Sequence, residues 1–208
     1  MTHYIFIRHG ITEWIEQGIL HGISESPLSE FGRWQAQQTA NALKGTQVNA
    51  IYSSSLGRVM QTAEPISKML GTPIQPLDEL REMNFGWLEG KPDLYHKIKQ
   101  YPALLPGLHL LRGFFGWLGG ESTKHFRQRV ITTWQNIQEN HPQGKVLIVA
   151  HAGILRVLFK LIYSQNHVRA PKWMGVSECS ISEIRVQPGK PPIIIRINDT
   201  QHLQEKLA

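Results

Sequence analysis

The 208 residues carry a formal net charge of +6, 41% apolar residues and one cysteine, Cys179. That length suits a single domain, residues 1–208, with a sizeable core. A lone cysteine excludes an intrachain disulfide framework. No apolar run reaches the roughly 20 residues of a membrane span. Lys and Arg are scattered, without a basic run or an aromatic-basic ladder, so neither nucleic acid nor membrane is an expected partner. The basic balance favours an anionic ligand. The N-terminus lacks the basic region, apolar core and cleavage site of a secretory leader, so the expected location is cytoplasmic.

Residues 4–7, a β-branched and aromatic run, read as a buried strand. The run ends in Arg8, His9 and Gly10. Ligands of open α/β sheets bind beyond the carboxyl ends of the strands, so these residues stand where chemistry is usually done. Ser29 caps a predicted helix over 29–44, which Gly45 stops. Residues 50–53 form a second strand, followed by a helix over 56–70 that ends at Gly71. Arg58 falls in the first turn of that helix, where a cation opposes the helix dipole unless an anion sits between them.

A short extended piece at 74–77 leads into a mixed, loop-like stretch holding Glu82 among apolar neighbours, a setting suited to a carboxyl acting as an acid. The pattern loosens over 91–119. A short helix is expected at 94–100, and a Leu/Phe-rich stretch over 104–118 reads as an excursion able to cover a site. Residues 123–140 have the period of an amphipathic helix, apolar at Phe126, Val130, Trp134 and Ile137. The strand at 145–150 ends in His151-Ala152-Gly153 and a helix to 163, repeating the opening grammar of strand, histidine, glycine. Residues 180–186 and 193–197 read as a hairpin. This alternation implies a three-layer α/β/α fold with a mostly parallel sheet and an antiparallel edge.

The chemistry-bearing residues at strand ends are then Arg8, His9, Arg58, Glu82 and His151. No metal-ligand motif, serine nucleophile elbow or P-loop lysine competes with them, and no cofactor or metal is expected.

Taken together, several pieces resemble the histidine phosphatase superfamily, in its phosphoglycerate mutase-like branch. They are Arg8-His9-Gly10 with Thr12, Ser26-Pro27-Leu28-Ser29-Glu30-Phe31-Gly32, Tyr52-Ser53-Ser54-Ser55-Leu56-Gly57-Arg58 with Gln61-Thr62-Ala63, Leu80-Arg81-Glu82 with Phe85-Gly86 and Glu89-Gly90, Gly120-Glu121-Ser122, and Val149-Ala150-His151-Ala152-Gly153. The resemblance implies that His9 attacks phosphorus, that Arg8, Arg58 and His151 bind the phosphoryl oxygens, and that Glu82 protonates the leaving oxygen and then activates water. It further implies a substrate pocket involving Thr12, Ile15, His21, Gly22 and Ala152, a small-molecule phosphate ester as substrate, and a lid-like insertion at 91–119.

The chain departs from the family pattern at Ile11, Ile15, His21, Ser55, Ala152 and Glu178. None of these removes a phosphate-binding group, and several make the pocket rim more apolar. The expected activity is phosphomonoester hydrolysis. The alternatives are a phosphoglycerate mutase, which shares every catalytic residue, and a phospho-ligand-binding protein with weak turnover. The 104–118 stretch is also a candidate homodimer face.

Overall fold

The computed structural model describes residues 1–92, 119–166 and 175–206. Its central strands are β1 (Thr2–Arg8), β2 (Ala50–Ser54), β3 (Ile74–Leu77) and β4 (Gly144–Ala150). The hairpin strands are β5 (Ile181–Val186) and β6 (Ile193–Asp199). They form one sheet in the order β3-β2-β4-β1-β5-β6. The β1–β4, β2–β4 and β2–β3 pairings are parallel. Strand β5 runs antiparallel to β1, and β6 antiparallel to β5, so the hairpin closes one side of the sheet.

Alternation along the central strands builds a core on each face. Tyr4, Phe6, Val146 and Ile148 pack with Phe126, Val130, Trp134 and Ile137 of α4 (Thr123–Asn140) and with Leu155 and Phe159 of α5 (Ala152–Gln165). Ile5, Ile7, Leu147 and Val149 face the other way. They meet Ala40 of α2 (Glu30–Ala42) and Val59, Ala63 and Ile66 of α3 (Gly57–Leu70). β1 and β4 are buried on both sides, which is why they read as unbroken apolar runs.

Local chemistry sets the helix ends. The Ser29 hydroxyl accepts from the Gly32 N–H at the start of α2. Gly71, at φ 68°, takes the left-handed position that ends α3. A short helix not expected from the sequence, α1 (Glu13–Glu16), is capped by Thr12, and a 3₁₀ segment spans Gln201–Lys206. Among the described residues, no helix is long and apolar enough to cross a membrane. The helix expected at 94–100 and the apolar stretch at 104–118, with the lid and dimer-face readings attached to them, lie outside the described residues.

Candidate active site

The site lies where the two central strands end. The His9 N–H donates to the Ala150 carbonyl at 3.0 Å, extending the β1–β4 ladder by one residue. Each strand therefore delivers a histidine to the same place, and the His9 and His151 rings stand with centroids 5.1 Å apart. Both side chains are buried.

Hydrogen bonding fixes the proton on the His9 ring. His9 Nδ1 lies 2.8 Å from the Gly10 carbonyl oxygen. A carbonyl can only accept, so Nδ1 carries the hydrogen and Nε2 keeps its lone pair. The His9 pKa lies well below its ordinary 6.5, through burial and then the charges of Arg58, Arg8 and His21. The Gly10 N–H donates to the Thr62 hydroxyl, which itself donates to the Arg58 carbonyl, tying the β1 turn to the first turns of α3.

Among the described residues Arg58 is the largest fully buried side chain, at 1% exposure. Its guanidinium donates to the carbonyls of Ser24 and Gly22, and Nη2 stands 3.4 Å from His151 Nδ1. The anion expected at the start of α3 is supplied in part by the chain itself. Both Glu25 carboxylate oxygens accept from the Gly57 N–H, at 3.0 and 3.1 Å. Burial lowers the Arg58 pKa to about 10, against the raising effect of Glu82, Glu25 and Glu89, and it stays a cation at neutral pH.

Arg8 is held from the opposite side of the chain. It donates to the Val176 carbonyl at 2.6 Å and pairs with Glu178 at 2.9 Å. Glu178, read from sequence only as a departure from the family pattern, thus orients a site arginine.

Glu82 approaches from the loop after β3. Its Oε2 accepts from the Gly153 N–H at 2.8 Å and its Oε1 from the Met83 N–H at 2.9 Å. The carboxylate so caps α5, whose N-cap residue, His151, makes no side-chain cap of its own. A salt bridge to Arg81 is the ordinary expectation for such a residue, but Arg81 pairs with Asp78 instead. Glu82 borders a cavity of about 360 Å³ that is also lined by Ile23, Arg81, Asn84 and Arg129.

The secondary set is spread over the same loops. Thr12 is buried, caps α1 and lies 3.2 Å from His21 Nε2. The His21 ring stands 6.1 Å from that of His9 and 6.0 Å from that of Trp14. Its pKa falls to about 3 through burial and then the charges of Arg58 and Arg8. Gly22 presents its carbonyl to Arg58, Ile15 is buried within α1, and Ala152 is half-buried at the start of α5. Glu89, quoted from sequence only within a family motif and given no role there, accepts from the N–H groups of Ile23, Ser24 and Phe85 and so joins two of these loops. Sequence reasoning also gives no role to Ser54, at the end of β2, whose hydroxyl lies 2.9 Å from His151 Nε2.

A neutral imidazole with a free lone pair, two guanidinium groups, a second imidazole and a carboxylate are therefore gathered at one end of the sheet. Among the described residues, no three His, Cys, Asp or Glu side chains converge as a metal-ligand set.

Comparisons with known proteins identify the family. The model of the histidine phosphatase superfamily (branch 1) matches residues 4–200. The uncharacterized phosphatase PhoE of Bacillus subtilis is 31% identical over 159 residues, 76% of each chain. A metal-independent phosphoserine phosphatase of Arabidopsis thaliana is 29% identical, over 88% of this chain and 84% of that one. The solved structure of YhfR from Bacillus stearothermophilus superposes with a TM-score of 0.81 at 27% identity, covering 98% of this chain and all of that one. The chain belongs to the histidine phosphatase superfamily, branch 1.

Proposed function

We propose that the protein hydrolyses small phosphomonoesters through a phosphohistidine formed at His9 Nε2. The observation that carries this reading is the state of His9. Its ring is neutral, its Nδ1–H is committed to Gly10, and its Nε2 lone pair is free beside buried arginines. Such a nucleophile divides one hard displacement into two easier ones.

In the first step Nε2 bonds to phosphorus and the ester P–O bond breaks. Arg8, Arg58 and His151 stabilise charge on the equatorial oxygens, and Glu82, entering as the acid, gives its proton to the leaving oxygen. In the second step Glu82, now a carboxylate, takes a proton from water. The water oxygen bonds to phosphorus, the P–N bond breaks and inorganic phosphate leaves. Thr12, Ile15, His21, Gly22 and Ala152 complete the pocket wall in this reading. A relative named as a phosphoserine phosphatase supports a small phosphate ester as the substrate class. The family match over residues 4–200 supports treating the chain as one domain.

Hydrolysis of p-nitrophenyl phosphate in the presence of a chelator, by wild type and His9→Ala, tests the proposal. Chelator-resistant turnover that disappears in the variant is the expected result. Turnover that survives the loss of His9, or a wild type active only as a mutase, would overturn it.

A further inference from the structure

The loop that carries Glu82 is gripped by a side chain with no place in the chemistry above. Arg129, on α4, donates through Nη1 to the carbonyls of Glu79 and Arg81, at 2.7 and 2.9 Å. Its other face makes a two-point fork with Glu121. Nε lies 3.0 Å from Oε1, and Nη2 lies 2.7 Å from Oε2. Glu121 closes the clamp from its own backbone, its N–H donating to the Asn84 carbonyl at 2.8 Å. The residues immediately before Glu82 are thus fixed by Arg129, and the loop after it by Glu121. Both clamp side chains are largely buried, at 18% and 11% exposure. Burial alone would raise the Glu121 carboxyl, but the hydrogen bonds and charge of Arg129, joined by those of His125 at 2.8 Å from Oε1, outweigh it and hold the group below the ordinary range, so the pair stays ionised.

We infer that Arg129, locked by Glu121, is a positioning residue that sets where the Glu82 carboxyl meets the leaving oxygen. This rests on the reading of Glu82 as the acid. A planar fork is needed for the task, because one group must serve two carbonyls and a carboxylate at once. A lysine ammonium offers no such pre-set geometry. The phosphate-binding groups Arg8, Arg58 and His151 are held by other contacts, to Val176, Glu178, Ser24, Gly22 and Ser54. Loosening the clamp should therefore spoil proton delivery and leave phosphate binding alone.

The test compares kcat/KM for phenyl phosphate, whose leaving oxygen needs a proton, with that for 2,4-dinitrophenyl phosphate, whose leaving oxygen does not. For Arg129→Ala the expected loss is about 30-fold on phenyl phosphate and less than about 3-fold on the dinitrophenyl ester, a fraction of what a general acid contributes. Inhibition by inorganic phosphate should change less than about 2-fold, since no phosphate-binding group is touched. In a Glu82→Gln background, Arg129→Ala should cause no further loss. Arg129→Lys and Glu121→Gln should show the same selectivity at smaller size, and they carry the test if the alanine variant does not melt cooperatively. Equal losses on both esters, or losses that multiply with Glu82→Gln, would overturn the inference. If Glu82→Gln itself showed no dependence on leaving group, the assignment of Glu82 would fall, and this inference with it.

Discussion

His151 Nε2 lies 2.9 Å from the Ser54 hydroxyl, and this contact decides which nitrogen of the ring faces Arg58. Nδ1, 3.4 Å from Arg58 Nη2, is therefore the nitrogen turned toward the buried arginine. Both partners of the Ser54 contact are fully buried, at 0% exposure. Ser54→Ala would leave the buried Nε2 without its hydrogen-bond partner. The expected cost is about 1–3 kcal/mol of stability, with activity lower by roughly 10-fold as the ring loses its orientation. Denaturant melts and p-nitrophenyl phosphate turnover, measured together, check both parts.

Gly153 is the position where a single methyl should disable Glu82. A Cβ built there would lie 2.1 Å from Glu82 Oε1 and 2.9 Å from its Cδ. Neither distance is tolerable, so the carboxyl must swing away from the α5 N-terminus. Gly153→Ala should lower kcat by about 10- to 100-fold, up to the lower bound of what general acid catalysis contributes, and leave phosphate inhibition within about 3-fold of wild type. Steady-state kinetics with phosphate as inhibitor reads both quantities.

Acid should weaken the fold in two overlapping windows. His9, His151 and His21 all have folded pKa values below the ordinary 6.5, chiefly through burial. Below pH 6.5 the unfolded chain takes up protons that the folded chain refuses, so stability is full above that value and declines as the pH falls. For His21 the decline continues to about pH 3. Glu89 and Glu121 have folded values below their ordinary 4.5, despite burial, because of the hydrogen bonds they accept. Their contribution is present above pH 4.5 and is lost only as the pH falls through the lower folded values. Each group adds at most about 1.4 kcal/mol per pH unit. Urea midpoints at pH 7.5 and 5.5 should therefore differ in the wild type, and differ less in His21→Gln, which keeps an amide in place of the imidazole.

Legibility in the sequence followed the range of the forces involved. β1 and β4 could be read because an apolar run flanked by Gly and polar residues is a local signal, as were the Ser29 cap and the Gly71 stop. Arg8, His9, Arg58, Glu82 and His151 were identified by motif, and the topology brings all five to one end of the sheet. What could not be read is who holds them. Ser54 and His151 are 97 residues apart, and Arg58 is matched to carbonyls 34 and 36 residues before it. An isolated arginine in a helix is ordinarily exposed; this one is buried because backbone carbonyls from another loop replace its water. Glu178 and Arg129 carried no local pattern, since each acts on a segment far along the chain.

The pairing of β1 with β4 brings together residues as distant as Thr2 and Gly144. Closing so large a loop is slow relative to forming the helices, and it is rewarded only when both strands are buried. Until that closure, His9 and His151 belong to different parts of a fluctuating chain. A nascent or partly refolded molecule therefore acquires helices before it acquires any capacity for phosphoryl transfer, and regain of enzymatic activity is a clock for this long-range pairing.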